Sequence, residues 1–85
     1  MGYIAIAFRS RAQTVKFSGY LSRGGMPNEI INTPKEAGVG CGLSVKISVG
    51  YFAAAKRALG SSGLTTFAGF FLVKIYAGKR IVKSI

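Results

Sequence analysis

Few residues in this chain can do chemistry. Histidine, aspartate and tryptophan are absent, and the acidic residues are Glu29 and Glu36 alone. Neither a paired-carboxylate acid/base site nor a Ser/His/Asp arrangement can be assembled from such a set. A mononuclear metal site would have to draw on Cys41, Glu29 and Glu36, so no metal and no cofactor are expected. The remaining chemistry is that of the single thiol, Cys41, which lies between Gly40 and Gly42. A thiolate is a nucleophile and can hold a second sulfur as a persulfide. A free thiol ionises near ~8.5, and each unit of lowering requires about 1.4 kcal/mol of preferential stabilisation of the anion. Gly40 and Gly42 let the backbone bend so that amides can point at the sulfur. Arg9, Lys35 and Lys46 are the candidate cations. The candidate site is therefore Cys41 as carrier thiol, with Arg9, Lys35, Gly40, Gly42 and Lys46 around it. Glu36 would orient Lys35 or Arg9.

The stretch Asn32 to Leu43 holds the thiol, Pro34, Glu36 and the glycines 38, 40 and 42. Leu43, Val45, Ile47 and Val49 then alternate with Ser44, Lys46 and Ser48, the period of a strand with one dry face and one wet face. Cys41 thus stands on a glycine loop where a strand over Leu43–Val49 begins. Tyr3 to Phe8 reads as a central strand. Ile4, Ile6 and Phe8 share one face; Tyr3, Ala5 and Ala7 share the other, where small side chains imply light cover. Ser10 is an N-cap, and from Arg11 to Arg23 the spacing turns helical, with Thr14, Phe17 and Leu21 as the buried stripe. Gly24-Gly25 supplies a left-handed C-cap, with Pro27 just beyond. Asn28 to Thr33 is a short strand closed by Pro34. A second helix runs from Tyr51 to Leu59, with Phe52, Ala55 and Leu59 inward. Leu64 to Ile85 is strand-like, strongest over Phe70–Tyr76, and Ala77-Gly78-Lys79 turns it into a last strand, Arg80–Ile85.

The order is β-α-β-β-α-β with one further C-terminal strand. This predicts an α+β, ferredoxin-like two-layer sandwich over residues 1–85: one domain, a mostly antiparallel sheet and both helices on one face. No apolar run approaches the ~18 residues that span a bilayer, and the start reads as a strand, not a signal peptide. With one cysteine no internal disulfide forms, which fits a reducing, cytoplasmic setting. The net charge of +10 is large for 85 residues. It describes either a solvated basic surface or one that attracts polyanions or an acidic partner.

Several segments resemble the selenium/sulfur carrier protein-like family of small bacterial domains. They are Phe8-Arg9-Ser10, Leu21 before Gly25-Met26-Pro27, Thr33-Pro34-Lys35-Glu36, Cys41-Gly42-Leu43 and Phe67-Ala68-Gly69-Phe70-Phe71. The most specific part is Thr-Pro-Lys-Glu followed by Cys-Gly-Leu. The resemblance implies a ferredoxin-like fold and movement of sulfur or selenium on the cysteine, between donor and acceptor proteins.

Two functions follow from these readings. In the first, the chain carries sulfur or selenium on Cys41 and is not a stand-alone enzyme. In the second, Cys41 only plugs the loop as a small apolar residue, and a basic module docks nucleic acid or an acidic protein. The open sheet face would show Ser44, Lys46, Ser48, Tyr3, Ala5 and Ala7. One tyrosine there is not a base-stacking platform, and the basic-Gly-aromatic signature of RNA-binding sheets is missing. Exposed sheet edges would also allow two copies to pair.

Overall fold

Ile4, Ile6 and Phe8 alternate with Ala5 and Ala7 along the strand Gly2–Phe8 (β1), and all five are buried. A strand dry on both faces must lie inside the sheet with cover above and below. In the computed structural model, which describes residues 1–85, β1 is the middle strand of five. The others are Glu29–Asn32 (β2), Leu43–Ile47 (β3), Phe67–Tyr76 (β4) and Lys79–Ser84 (β5). Their order is β2-β3-β1-β4-β5 and every pairing is antiparallel. Each β-α-β passage therefore straddles a strand. β3 lies between β1 and β2, and β1 lies between β3 and β4, while β5 extends the sheet beyond four strands. The fold is α+β, two-layered, with two helices, as expected.

Both helices, Arg11–Arg23 (α1) and Phe52–Ser62 (α2), pack on the face of Ile4, Ile6 and Phe8. The buried residues of α1 are Thr14, Phe17 and Leu21, the expected stripe. Ser10 caps it by accepting the Gln13 amide at 3.2 Å. At its other end Gly24 has φ −82°, and the left-handed conformation falls on Gly25 at φ +82°. Ala55 of α2 is buried, while Phe52 and Leu59 are half-buried against the core. α2 continues through Gly60 to Ser62, three residues beyond the Leu59 expected as its end, and stops at a left-handed Gly63; Ser61 and Ser62 bond back to the carbonyls of the last turn.

The third strand is shorter than the alternation suggested. It ends at Ile47, and Val49 sits exposed in a 3₁₀ turn, Val49–Tyr51, that leads into α2. Nor is its second face wet throughout. Ser44 is fully buried, bonded to the Thr33 hydroxyl at 2.7 Å. The cause is the segment between β2 and β3. Its ends are tied by the Thr33 amide on the Gly42 carbonyl at 2.8 Å, and it folds across the back of the sheet as a closed loop. Ala37, in the 3₁₀ turn Lys35–Ala37, packs there against the small cluster of Ala5, Ala7, Phe71 and Val73. Alanines on β1 are what let a backbone segment come that close.

Candidate functional site

The loop returns from the back of the sheet to the helix side by passing over the end of β1. Gly40 is the crossing point. Its φ is +89°, and a Cβ there would lie 3.1 Å from the Phe8 carbonyl oxygen and 3.5 Å from the Ala7 Cβ. Glycine suits this point twice, because the backbone is left-handed and because a Cβ would crowd the Phe8 carbonyl. The next amide, that of Cys41, donates to the Phe8 carbonyl at 3.0 Å. Gly42, at φ +96° with open space where a Cβ would sit, turns the chain into β3. Cys41 is thereby clamped to the end of the central strand.

Its sulfur points to the helix layer and is half-buried. Sγ lies 3.7 Å from the Thr14 hydroxyl and 3.7 Å from the Leu43 carbonyl oxygen. Thr14 is in the first turn of α1, fully buried, and its hydroxyl also reaches the Ser10 carbonyl at 3.1 Å. The sulfur therefore sits by the positive end of a helix of 13 residues whose first turn carries no acid to offset it. Arg9 and Arg11 bracket the Ser10 cap. Both are exposed and have no salt-bridge partner.

Of the expected cations, only Arg9 is next to this corner, one residue beyond the carbonyl that holds Cys41. Lys46 is not. It pairs with Ala5 on the back face, bonds Glu29 at 3.3 Å and covers the Tyr3 ring at 4.8 Å. Lys35 opens the 3₁₀ turn that lies on the back face, across the sheet from the sulfur. Glu36 orients neither Lys35 nor Arg9. It takes a two-pronged bond from Arg80 of β5, at 2.8 and 3.1 Å, which holds its carboxyl below the ordinary 4.5. A surface hollow of about 610 Å³ is also elsewhere, among Tyr3, Glu29, Lys46 and Ile75 at the far end of the sheet.

Residues 3–68 match the family model described as "Putative Se/S carrier protein-like". The chain belongs to this family. No curated protein and no solved structure matches it. The Se/S carrier protein-like span takes in β1, α1, the crossing loop and Cys41, and it stops at the second residue of β4. β5, and with it the Arg80 partner of Glu36, lies outside. Within the span, periodicity alone marked Thr14 as core, and no sequence signal set it apart as the sulfur's neighbour. Gln13 was passed over likewise. Its side-chain oxygen accepts from the Thr65 and Thr66 amides and the Thr66 hydroxyl, tying the entry to β4 to the same helix turn. No helix is long and apolar enough to cross a membrane.

Proposed function

We propose that this chain carries sulfur or selenium on Cys41, taking it from one protein and giving it to another, without being an enzyme itself. Transfer needs no outside oxidant. The Cys41 thiolate attacks the terminal sulfur of a donor persulfide, the new Sγ–S bond forms, and the donor's S–S bond breaks with its electron pair leaving on the donor thiolate. In delivery an acceptor nucleophile takes the terminal sulfur and the pair returns to Sγ. The observation that carries this reading is the placement of a half-buried Sγ between one acceptor and one reversible donor. As a thiol, the sulfur gives its proton to the Leu43 carbonyl. As an anion or a persulfide it has no proton on Sγ, and the Thr14 hydroxyl turns to donate to it. The Ser10 carbonyl stays satisfied meanwhile, because it also accepts the Thr14 amide at 3.0 Å. Both states of the sulfur are thus served with no movement of the backbone. The uncompensated N-terminus of α1, with Arg9 and Arg11 beside it, favours an anion and would help to draw an acidic partner.

Intact-mass measurement after incubation with a low-molecular-weight persulfide tests this. Wild type gains about 32 Da per sulfur, reversed by reductant, and Cys41→Ser gains nothing. A wild-type thiol that stays unmodified while remaining folded overturns the proposal.

A further inference from the structure

The helix layer does not cover the whole sheet. Along β4 and β5, direct pairing places Leu72 beside Lys83, Lys74 beside Ile81 and Tyr76 beside Lys79. Leu72 packs into the helix-side core, so all six share that face. Beyond Leu72 the face has no cover: Tyr76 is 76% exposed and Ile81 55%. Lys74, Lys79 and Lys83 are exposed and have no carboxylate partner, since Glu29 and Glu36 are engaged by Lys46 and Arg80. On the inner side stands Lys56 of α2. Its ammonium lies over Phe52, which meets Phe70 of β4 edge-on. The result is a shelf, a row of lysines along this face, with Tyr76 exposed at its hairpin end between Lys74 and Lys79.

We infer that this shelf binds single-stranded nucleic acid, with lysines on the phosphates and Tyr76 stacked on a base. Three features favour that occupant. The shelf holds no acidic side chain, so its charge is complementary to a continuous polyanion. Its cations are all lysines, point charges suited to a mobile phosphate chain. The nearby Arg80, whose planar fork fits carboxylates and phosphates alike, is turned to the opposite face and used on Glu36, so it takes no part in the shelf. A single free ring among cations is no platform for successive bases, but it supplies one sequence-tolerant stacking contact to a strand held mainly by its phosphates. A second copy of the chain fits poorly, because pairing along the β5 edge would bring together Lys79, Arg80 and Lys83 of two molecules of charge +10. A bilayer fits poorly too. Tyr76 and Ile81 alternate with lysines, and Ile75 points to the other face, so no apolar group is gathered for insertion.

Fluorescence anisotropy with a labelled oligodeoxythymidylate, over a series of salt concentrations, tests the inference. Wild type binds with an affinity that falls as salt rises. Joint replacement of Lys74, Lys79 and Lys83 by Gln lowers affinity at least about tenfold and flattens the log–log salt slope by about 2, at ~0.7 per phosphate contact. Tyr76→Ala weakens binding about fivefold with the slope unchanged. A control with the same loss of charge, Lys16→Gln with Arg23→Gln and Arg57→Gln, stays within about twofold of wild type. Equal losses in the two triple variants, or an unchanged Tyr76→Ala, would overturn the shelf as a site. So would binding to phosphatidylserine vesicles or polyglutamate without binding to the oligonucleotide.

Discussion

The sulfur of Cys41 and the glycine before it depend on each other through one atom, the Phe8 carbonyl oxygen. That oxygen accepts the Cys41 amide and crowds any Cβ on Gly40 to 3.1 Å, so that the backbone would have to give by a few tenths of an ångström. A methyl group at position 40 meets both a positive φ and a wall of backbone, whereas at position 42 it meets a positive φ and open space. Gly40→Ala should therefore destabilise by about 2 kcal/mol and Gly42→Ala by about 1 kcal/mol, read from urea unfolding midpoints. If the two losses are equal, the crossing over β1 is not the constraint. Thr14 gives a second contrast at this scale. Thr14→Val keeps the buried shape but removes the hydroxyl that turns to the sulfur. The Ser10 carbonyl loses nothing essential, because the residue-14 amide still fills it. A hydrogen bond worth about 1 kcal/mol corresponds to roughly a fivefold fall in the rate of Cys41 alkylation by iodoacetamide at fixed pH. Thr14→Ser should restore that rate, which a purely steric role of the residue would not require.

Among the elements, the β4–β5 hairpin is the one whose formation is least secured by burial. Most of β5 is exposed, and of its residues only Val82 packs on a core cluster. Two devices hold it, one local and one distant in sequence. One is the turn, where Ala77 at φ 51° and Gly78 at φ 77° give the pair of positive angles that matches strand twist. Alanine tolerates that angle badly, so Ala77→Asn should stabilise the protein by about 0.5–1 kcal/mol and raise its thermal midpoint by about 4 °C. The other is the Glu36–Arg80 bond, across 44 positions of sequence. This explains which parts of the fold were legible beforehand. α1 showed itself through its cap and its 3.6-residue stripe, and β1 through two apolar faces, because burial writes periodicity into sequence. β5 carries little such periodicity: its turn residues announced a last strand, found at Lys79–Ser84, but the ion pair that holds it is long-range and no local pattern announces that. The candidate site divides in the same way. Cys41 between glycines, and Arg9 at the end of β1, could be found from residue type and position. Lys46 was misplaced because alternation tells which side chains share a face, but not that a loop closes over that face and leaves the sulfur on the other. Thr14 went unnoticed for the opposite reason, since its helical position already accounted for it as core.

At the scale of the whole molecule, charge sets the response to solution conditions. Of twelve lysines and arginines, two sit in salt bridges, which leaves ten cations without a carboxylate. Salt screens both kinds of interaction, weakening two attractive pairs and relieving repulsion among ten like charges spread within about a Debye length or two of each other. The larger set should win, so the thermal midpoint rises as salt goes from dilute buffer to physiological strength. Acid acts through Glu36. Arg80 holds its folded-state carboxyl below the ordinary 4.5, so the ionised form is favoured by folding. The stability this contributes is fully present above about 4.5 and is lost as pH falls through the depressed folded value. Comparing wild type with Glu36→Gln isolates it. At neutral pH and low salt the variant should unfold at lower urea, and the gap should close as pH drops below 4.5. Added salt should narrow the same gap at neutral pH while raising both midpoints. These opposite responses separate the single strap that holds β5 from the general repulsion around it. A gap that stayed constant through the acid range would mean that the carboxylate of Glu36 does not anchor the strand.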